Sequence, residues 1–155
     1  MNNEQAFTNL VRRQRSTIYT VCYMFSNDQD EVNDLFQEVL IRLWQGWEKF
    51  RGDSDERTWV YRVALNVCIS IDRSKKSKKR RQIVDGVNLF DESDAKNYQA
   101  ELLHHRIMKL MPFDRAIVLL WLEDLSYDEI GAIVGITAKN VSVRLVRIRE
   151  QLKKL

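Results

Sequence analysis

A chain of 155 residues suits one ordinary domain or two very small ones, which excludes a large multidomain enzyme. Hydrophobic residues at 45% and aromatic residues at 10% suffice for a core, which excludes wholesale disorder, and only 5 Gly and 1 Pro exclude a fold of many tight hairpins. Lys+Arg 25 against Asp+Glu 22 leave a net charge of +3, but the balance is uneven: residues 1–81 carry 15 basic and 11 acidic groups, 82–101 carry 1 and 5, and 102–155 carry 9 and 6.

That distribution predicts an all-α protein of two small helical domains, 1–81 and 102–155, joined by an acidic linker over 82–101 that contains Asp85, Asp91, Glu92, Asp94 and Glu101. Met1 to Arg15 has no apolar stretch behind its charges, so no leader is expected. From Asp30 to Trp47, Val32, Leu35, Phe36, Val39, Leu40, Leu43, Trp44 and Trp47 recur every three or four residues, which predicts an amphipathic helix with one apolar stripe. Its other face carries Asp34, Gln37, Glu38, Ile41 and Arg42. An aliphatic residue among acids fits either a solvated face or a protein interface.

The polar loop Phe50-Arg51-Gly52-Asp53-Ser54-Asp55-Glu56 follows, with Ser54 or Asp55 placed to cap a helix running from about Asp55 to Lys79. Val60, Val63, Ala64, Val67, Cys68 and Ile71 form its apolar side; Thr58, Arg62, Asn66, Ser70 and Arg73 line the other, with Trp59 at the border. Arg reaches phosphates, Asn and Ser bond base edges, and an aromatic surface accepts an unstacked base, so this stripe fits single-stranded nucleic acid. Trp59 equally fits simple core packing. The helix ends in the basic run Lys75, Lys76, Lys78, Lys79, Arg80 and Arg81, a polyanion-binding block or a solvated face.

The last 54 residues predict short helices over Glu101–Leu110 and Phe113–Leu122, the second starting at the only proline, Pro112. Ser126-Tyr127-Asp128-Glu129 is a capping box, so a third helix starts near Tyr127 and runs to Val134. Gly135-Ile136-Thr137 then makes a tight turn into a helix over Ala138–Lys154. This is the pattern of a helix-turn-helix, with Gly131 small enough for close approach and Ile130, Val134, Ile136, Val141, Leu145, Ile148 and Leu152 as the shared core. The second helix keeps Lys139, Asn140, Ser142, Val143, Arg144, Arg147 and Arg149 outside its apolar stripe, as a recognition helix in a major groove requires.

Cys22 and Cys68 lie far apart within apolar runs, which fits a reducing compartment and neither a disulfide framework nor a metal cluster. The apolar run Ile117–Leu122 is too short to span a bilayer. His104 and His105 are adjacent, so they point to different sides of a helix, and no nucleophile, phosphate loop or metal spacing accompanies them. The expectation is a cytoplasmic protein that is not an enzyme, without metal, cofactor, small-molecule substrate or direct membrane insertion.

Three segments in this order resemble the bacterial RNA polymerase sigma factors of the small, extracytoplasmic function (ECF) type. They are Asp34-Leu35-Phe36-Gln37-Glu38 leading to Leu43-Trp44; Phe50 to Ser54 followed by Thr58-Trp59-Val60-Tyr61-Arg62-Val63-Ala64-Leu65-Asn66; and Leu125-Ser126-Tyr127-Asp128-Glu129-Ile130. The chain departs from many members in having Val32-Asn33 before the Asp-Leu pair, and in the apolar Val143. The resemblance implies a region 2-like domain and a region 4-like helix-turn-helix domain, with core RNA polymerase, promoter DNA and an anti-sigma factor as partners. It implies that Asp34, Gln37, Glu38, Ile41 and Arg42 bind core polymerase. Phe50, Arg51, Gly52, Asp53, Ser54, Trp59, Arg62, Asn66 and Arg73 would serve the minus-ten element, in part as a pocket for a flipped base. Lys139, Asn140, Ser142, Val143, Arg144 and Arg147 would serve the minus-thirty-five element. A helix-turn-helix regulator that binds duplex DNA without joining a polymerase is the alternative, but it leaves the acidic face at Asp34, Gln37 and Glu38 unexplained.

Overall fold

A computed structural model describes residues 2–50, 55–79 and 95–154, without the side chains of 75–79 and 95–97. Seven helices and no strand are found among the described residues: α1 Asn3–Met24, α2 Gln29–Phe50, α3 Glu56–Lys79, α4 Ala95–Met108, α5 Pro112–Leu122, α6 Tyr127–Val134 and α7 Ala138–Lys154. None is long and apolar enough to cross a membrane.

Local chemistry sets most of the boundaries. The Asn2 side chain accepts from the Gln5 N–H at 2.8 Å to open α1, and Asp28 accepts from the Glu31 N–H at 2.8 Å to open α2. Asp55 faces the Thr58 N–H at 3.4 Å before α3; Ser54, the other expected cap, lies outside the described residues with Arg51, Gly52 and Asp53. Pro112 begins α5, where its missing N–H costs nothing. Ser126 and Glu129 close the expected capping box at 3.1 Å in both directions. Thr137 caps α7 by accepting from the Asn140 N–H at 3.1 Å.

The first three helices pack on one another with Leu10, Ile18, Val21 and Cys22 of α1, Val32, Leu35, Val39 and Leu43 of α2, and Val60, Ala64, Leu65, Val67 and Cys68 of α3 inside. Helix α1 carried no element-level expectation, and it forms one side of this bundle. The stripe expected on α2 is narrower than its spacing suggests: Phe36, Leu40 and Trp47 are half-buried, and Trp44 is exposed, its ring edge-on to Phe7 with centroids 5.1 Å apart. On α3, Val63 and Ile71 are half-buried, while Tyr61, outside the expected stripe, is fully enclosed. Cys22 and Cys68 meet between α1 and α3, and their mutual hydrogen bond, followed by burial, pushes the Cys68 thiol far above its usual range. Cys68 stays protonated, and both buried cysteines pack as small apolar groups.

Helices α5, α6 and α7 make the helix-turn-helix unit around Ile117, Leu120, Ile130, Ile133, Val141, Leu145 and Ile148. Gly135 ends α6 at φ +86°, and a Cβ on Gly131 would lie 2.4 Å from the Ile136 carbonyl oxygen, so both glycines are structural requirements. Helix α4 begins at Ala95, so residues 95–101, expected in the linker, are helical instead; the acids Asp85, Asp91, Glu92 and Asp94, and Arg80 and Arg81, lie outside the described residues.

The two halves touch. Helix α3 packs on α5 and α6, and α1 on α4 and α5, so one apolar cluster runs through both. Arg115 of α5 is enclosed, with its Nη2 donating to the Met108 and Leu110 carbonyls at 2.9 and 3.1 Å. Its Nη1 lies 3.5 Å from Asp72 Oδ1 on α3, and its guanidinium sits 4.9 Å over the Phe25 ring at the end of α1. His104 of α4 bonds the Tyr23 carbonyl at 2.9 Å.

Candidate polymerase and nucleic-acid interface

The exposed face of α2 holds Asp34, Gln37 and Arg42 in solvent, Ile41 half exposed at 49%, and Glu38 half-buried. Arg42 Nε approaches Glu38 Oε1 at 3.6 Å, a pair one helical turn apart that contributes little in water. A groove of about 380 Å³ joins this face to the polar side of α3, lined by Glu38, Arg42, Val63, Asn66, Val67, Ser70 and Ile71. The structure therefore brings Glu38 and Arg42, two of the residues expected to bind polymerase, beside Asn66, one of those expected at the minus-ten element.

The border residue Trp59 is half-buried and committed to an aromatic cluster. Its ring stacks on Phe50 with centroids 4.4 Å apart and planes at 15°, and Trp47 lies 6.2 Å away on α2. Trp59 therefore packs as the core reading has it, in a cluster that ties the end of α2 to the first turns of α3. Asn66 and Arg73 are exposed as the helical pattern requires. Arg62 is not directed to solvent alone: its Nε and Nη2 donate to the Ala132 carbonyl of α6 at 3.1 and 2.6 Å.

On α7, Lys139, Asn140, Val143, Arg144 and Arg147 are exposed and Ser142 is half-buried. Arg144 is held by α5, with Nη1 3.0 Å from Asp114 Oδ1 and its guanidinium 4.7 Å over the Phe113 ring. Arg149 lies 5.5 Å over Trp121 in the same way. Aromatic and acidic side chains of α5 thus orient two of the cations that composition alone leaves unplaced.

One positioning residue was not singled out by sequence. Glu56, the first residue of α3, accepts a two-pronged bond from Arg13 of α1, Nη2 to Oε1 at 2.6 Å and Nε to Oε2 at 3.2 Å, and a third from Gln14 at 2.7 Å. These donors, Arg13 above all, hold the Glu56 carboxyl below its ordinary pKa of 4.5, against the opposing effect of burial. The bond fixes the first turn of α3 to α1. Its signal in sequence was an acid at a helix start, which explains its dipole preference and says nothing of a partner 43 residues away.

Among the described residues no group of three or more His, Cys, Asp or Glu could hold a metal ion. His104 and His105 both reach a cavity of about 480 Å³ between the α1–α2 junction and α4, lined also by Tyr23, Asp28, Tyr98 and Glu101.

Residues 10–80 match the family model of sigma-70 region 2, and residues 100–152 that of sigma-70 region 4. The ECF RNA polymerase sigma factor SigW of Bacillus subtilis is 28% identical, over 98% of this chain and 89% of its own length. The ECF RNA polymerase sigma-E factor of Escherichia coli strain K12 is also 28% identical, over 97% and 86%. The chain belongs to the ECF sigma factors. The fold of this sigma factor is shared with the solved sigma factor RpoE of Bartonella quintana, which was crystallised in complex with the anti-sigma factor NepR: TM-score 0.77, 18% identity, covering 97% of this chain and 96% of that one. Matches on both halves set aside the independent helix-turn-helix regulator, which accounts only for 102–155.

Proposed function

We infer that this sigma factor, which directs transcription initiation, divides the work between its halves as follows. The first domain, 1–81, docks on core RNA polymerase through Asp34, Gln37, Glu38, Ile41 and Arg42. It takes the minus-ten element on Phe50, the loop Arg51, Gly52, Asp53 and Ser54, and Trp59, Arg62, Asn66 and Arg73. The second domain, 102–155, reads the minus-thirty-five element from the major groove with Lys139, Asn140, Ser142, Val143, Arg144 and Arg147. Residues 82–101 connect them, the helical end of that segment belonging with α4. The protein acts in the cytoplasm as a binding subunit and not as a catalyst, and an anti-sigma factor holds it in check.

The observation that carries this reading is the shared groove in which Glu38 and Arg42 of α2 stand beside Asn66 and Ser70 of α3. A protein that must grip polymerase and an extruded base at once needs the two faces adjacent, because the cost of unstacking, a few kcal/mol per base, is offset only where the base is delivered to its pocket. Binding of the purified protein to bacterial core polymerase, followed by promoter-selective transcription, tests it. Asp34→Ala combined with Glu38→Ala is expected to weaken core binding without loss of helicity, since both side chains sit on an exposed or half-exposed face. Unchanged core affinity in that variant removes the α2 assignment.

A further inference from the structure

We propose that the cavity of about 480 Å³ between the α1–α2 junction and α4 is a binding site for a small organic ammonium ion, with Asp28 and Glu101 facing its charge and Tyr23 and Tyr98 facing its hydrocarbon body. The inference is independent of the assignments to polymerase and DNA, since none of the residues so assigned lines the cavity.

The residue order of α4 builds one wall. Tyr98, Glu101, Leu102 and His105 stand at i, i+3, i+4 and i+7, so a carboxylate is set between an aromatic ring and apolar carbon on one helical face. Tyr23 in the last turn of α1, and Asp28 just beyond that helix, form the wall opposite. The two walls are tied together at one edge. His104 Nε2 bonds the Tyr23 carbonyl at 2.9 Å, and the two rings lie with centroids 4.5 Å apart.

The lining selects the sign of the ligand. Among the described residues the cavity has two carboxylates and no Lys or Arg, in a protein whose net charge is +3. Asp28 is partly committed, because one of its oxygens accepts from the Glu31 N–H at 2.8 Å to cap α2. Glu101 is exposed, and its charge is felt across the cavity: burial first, and the Glu101 carboxylate second, raise the Tyr23 hydroxyl above its ordinary pKa of 10.0. Tyr23 and Tyr98 leave 39% and 50% of their surface exposed beside these acids. Aromatic faces and a carboxylate together complement a group that is positive at one end and apolar at the other. A phosphate or carboxylate ligand would meet like charge there, and the Asp, Glu and His side chains do not converge as a metal site. The volume lies within the ordinary range for small-molecule sites, about 300–1,000 Å³.

Titration calorimetry of the full chain with benzylammonium, benzyltrimethylammonium, benzyl alcohol and benzoate, which share one ring and differ in charge, tests the assignment. Both cations are expected to bind in the millimolar range and to shift the amide resonances of Glu101, Leu102 and His105. Benzyl alcohol is expected to bind roughly tenfold more weakly, and benzoate to give no heat. Glu101→Gln should weaken both cations roughly fivefold and leave benzyl alcohol unchanged, while Tyr98→Leu should weaken benzyltrimethylammonium about two- to fivefold. Both side chains are exposed, so circular dichroism of either variant should match wild type, and Asp28 is left unaltered because it caps α2. Neither cation binding overturns the proposal. Benzyl alcohol or benzoate binding as tightly as the cations reduces the site to an apolar cleft and also overturns it. Cation binding that is undiminished in both variants, or that shifts only resonances remote from α4, places the ions elsewhere and rejects this cavity.

Discussion

Glu56 shows how a single carboxylate can tie the start of one helix to the side of another. With Arg13 and Gln14 bonding the ionised form, its pKa is lower folded than unfolded, so its contribution to stability is complete above the unfolded value near 4.5 and is lost as pH falls through the lower folded value. Glu56→Gln is therefore expected to lower the urea midpoint at neutral pH and to lose that deficit in acid, where the wild-type carboxylate is itself protonated. Parallel midpoint-against-pH curves for the two proteins would refute it. At this scale the sequence was partly legible. The capping pair Ser126 and Glu129 could be read because both partners lie within four residues, whereas the bonds of Glu56 to Arg13, Arg62 to Ala132 and Arg115 to Asp72 join segments whose proximity exists only after folding.

Among the elements, the helix-turn-helix was the most readable because each boundary carries its own chemistry, and its two glycines make a graded test. Gly131→Ala places a Cβ against the main chain of the turn at 2.4 Å, and backbone cannot give way as a flexible side chain can, so a loss of about 1–3 kcal/mol is expected. Gly135→Ala meets open space but must hold φ near +86°, a conformational cost of roughly 1–2 kcal/mol. Urea denaturation followed by circular dichroism checks both, and stability equal to wild type in either refutes its assignment. On α7, Arg144→Ala should cost on the order of 1–3 kcal/mol in promoter binding by holoenzyme and, if its contact is to phosphate, reduce the salt slope by about one. Its pair with Asp114 is exposed enough that folding should change little; promoter affinity and salt slope both unaltered would remove Arg144 from the interface. Helix α1 escaped the sequence reading because its apolar positions Leu10, Ile18, Val21 and Cys22 are divided by the polar stretch from Arg12 to Ser16, which breaks the visible stripe while leaving the helical register intact. The start of α4 escaped it because Ala95 to Glu101 carries no strong apolar period; its first turns read as the polar end of a linker.

At the scale of the whole molecule, two kinds of electrostatic contact respond differently to salt. The junction between domains rests on an apolar cluster, a nearly enclosed ion pair and a hydrogen bond from Arg62 to a neutral carbonyl. Surface charges beyond the Debye length of about 10 Å at 0.1 M salt are screened, but enclosed pairs and apolar burial are not weakened in the same way. Contacts to DNA release counterions, and their affinity falls steeply with salt. Raising salt should therefore leave the compact form of the free protein unchanged while reducing binding of the same chain to a single strand, so that the free form gains over the bound one without any change in its own contacts. Small-angle scattering of the free protein and fluorescence titration of labelled DNA across one salt series measure the two effects side by side. A radius of gyration that grows with salt would mean that exposed charge pairs, rather than the buried contacts of Arg115 and the shared apolar cluster, hold the two halves together.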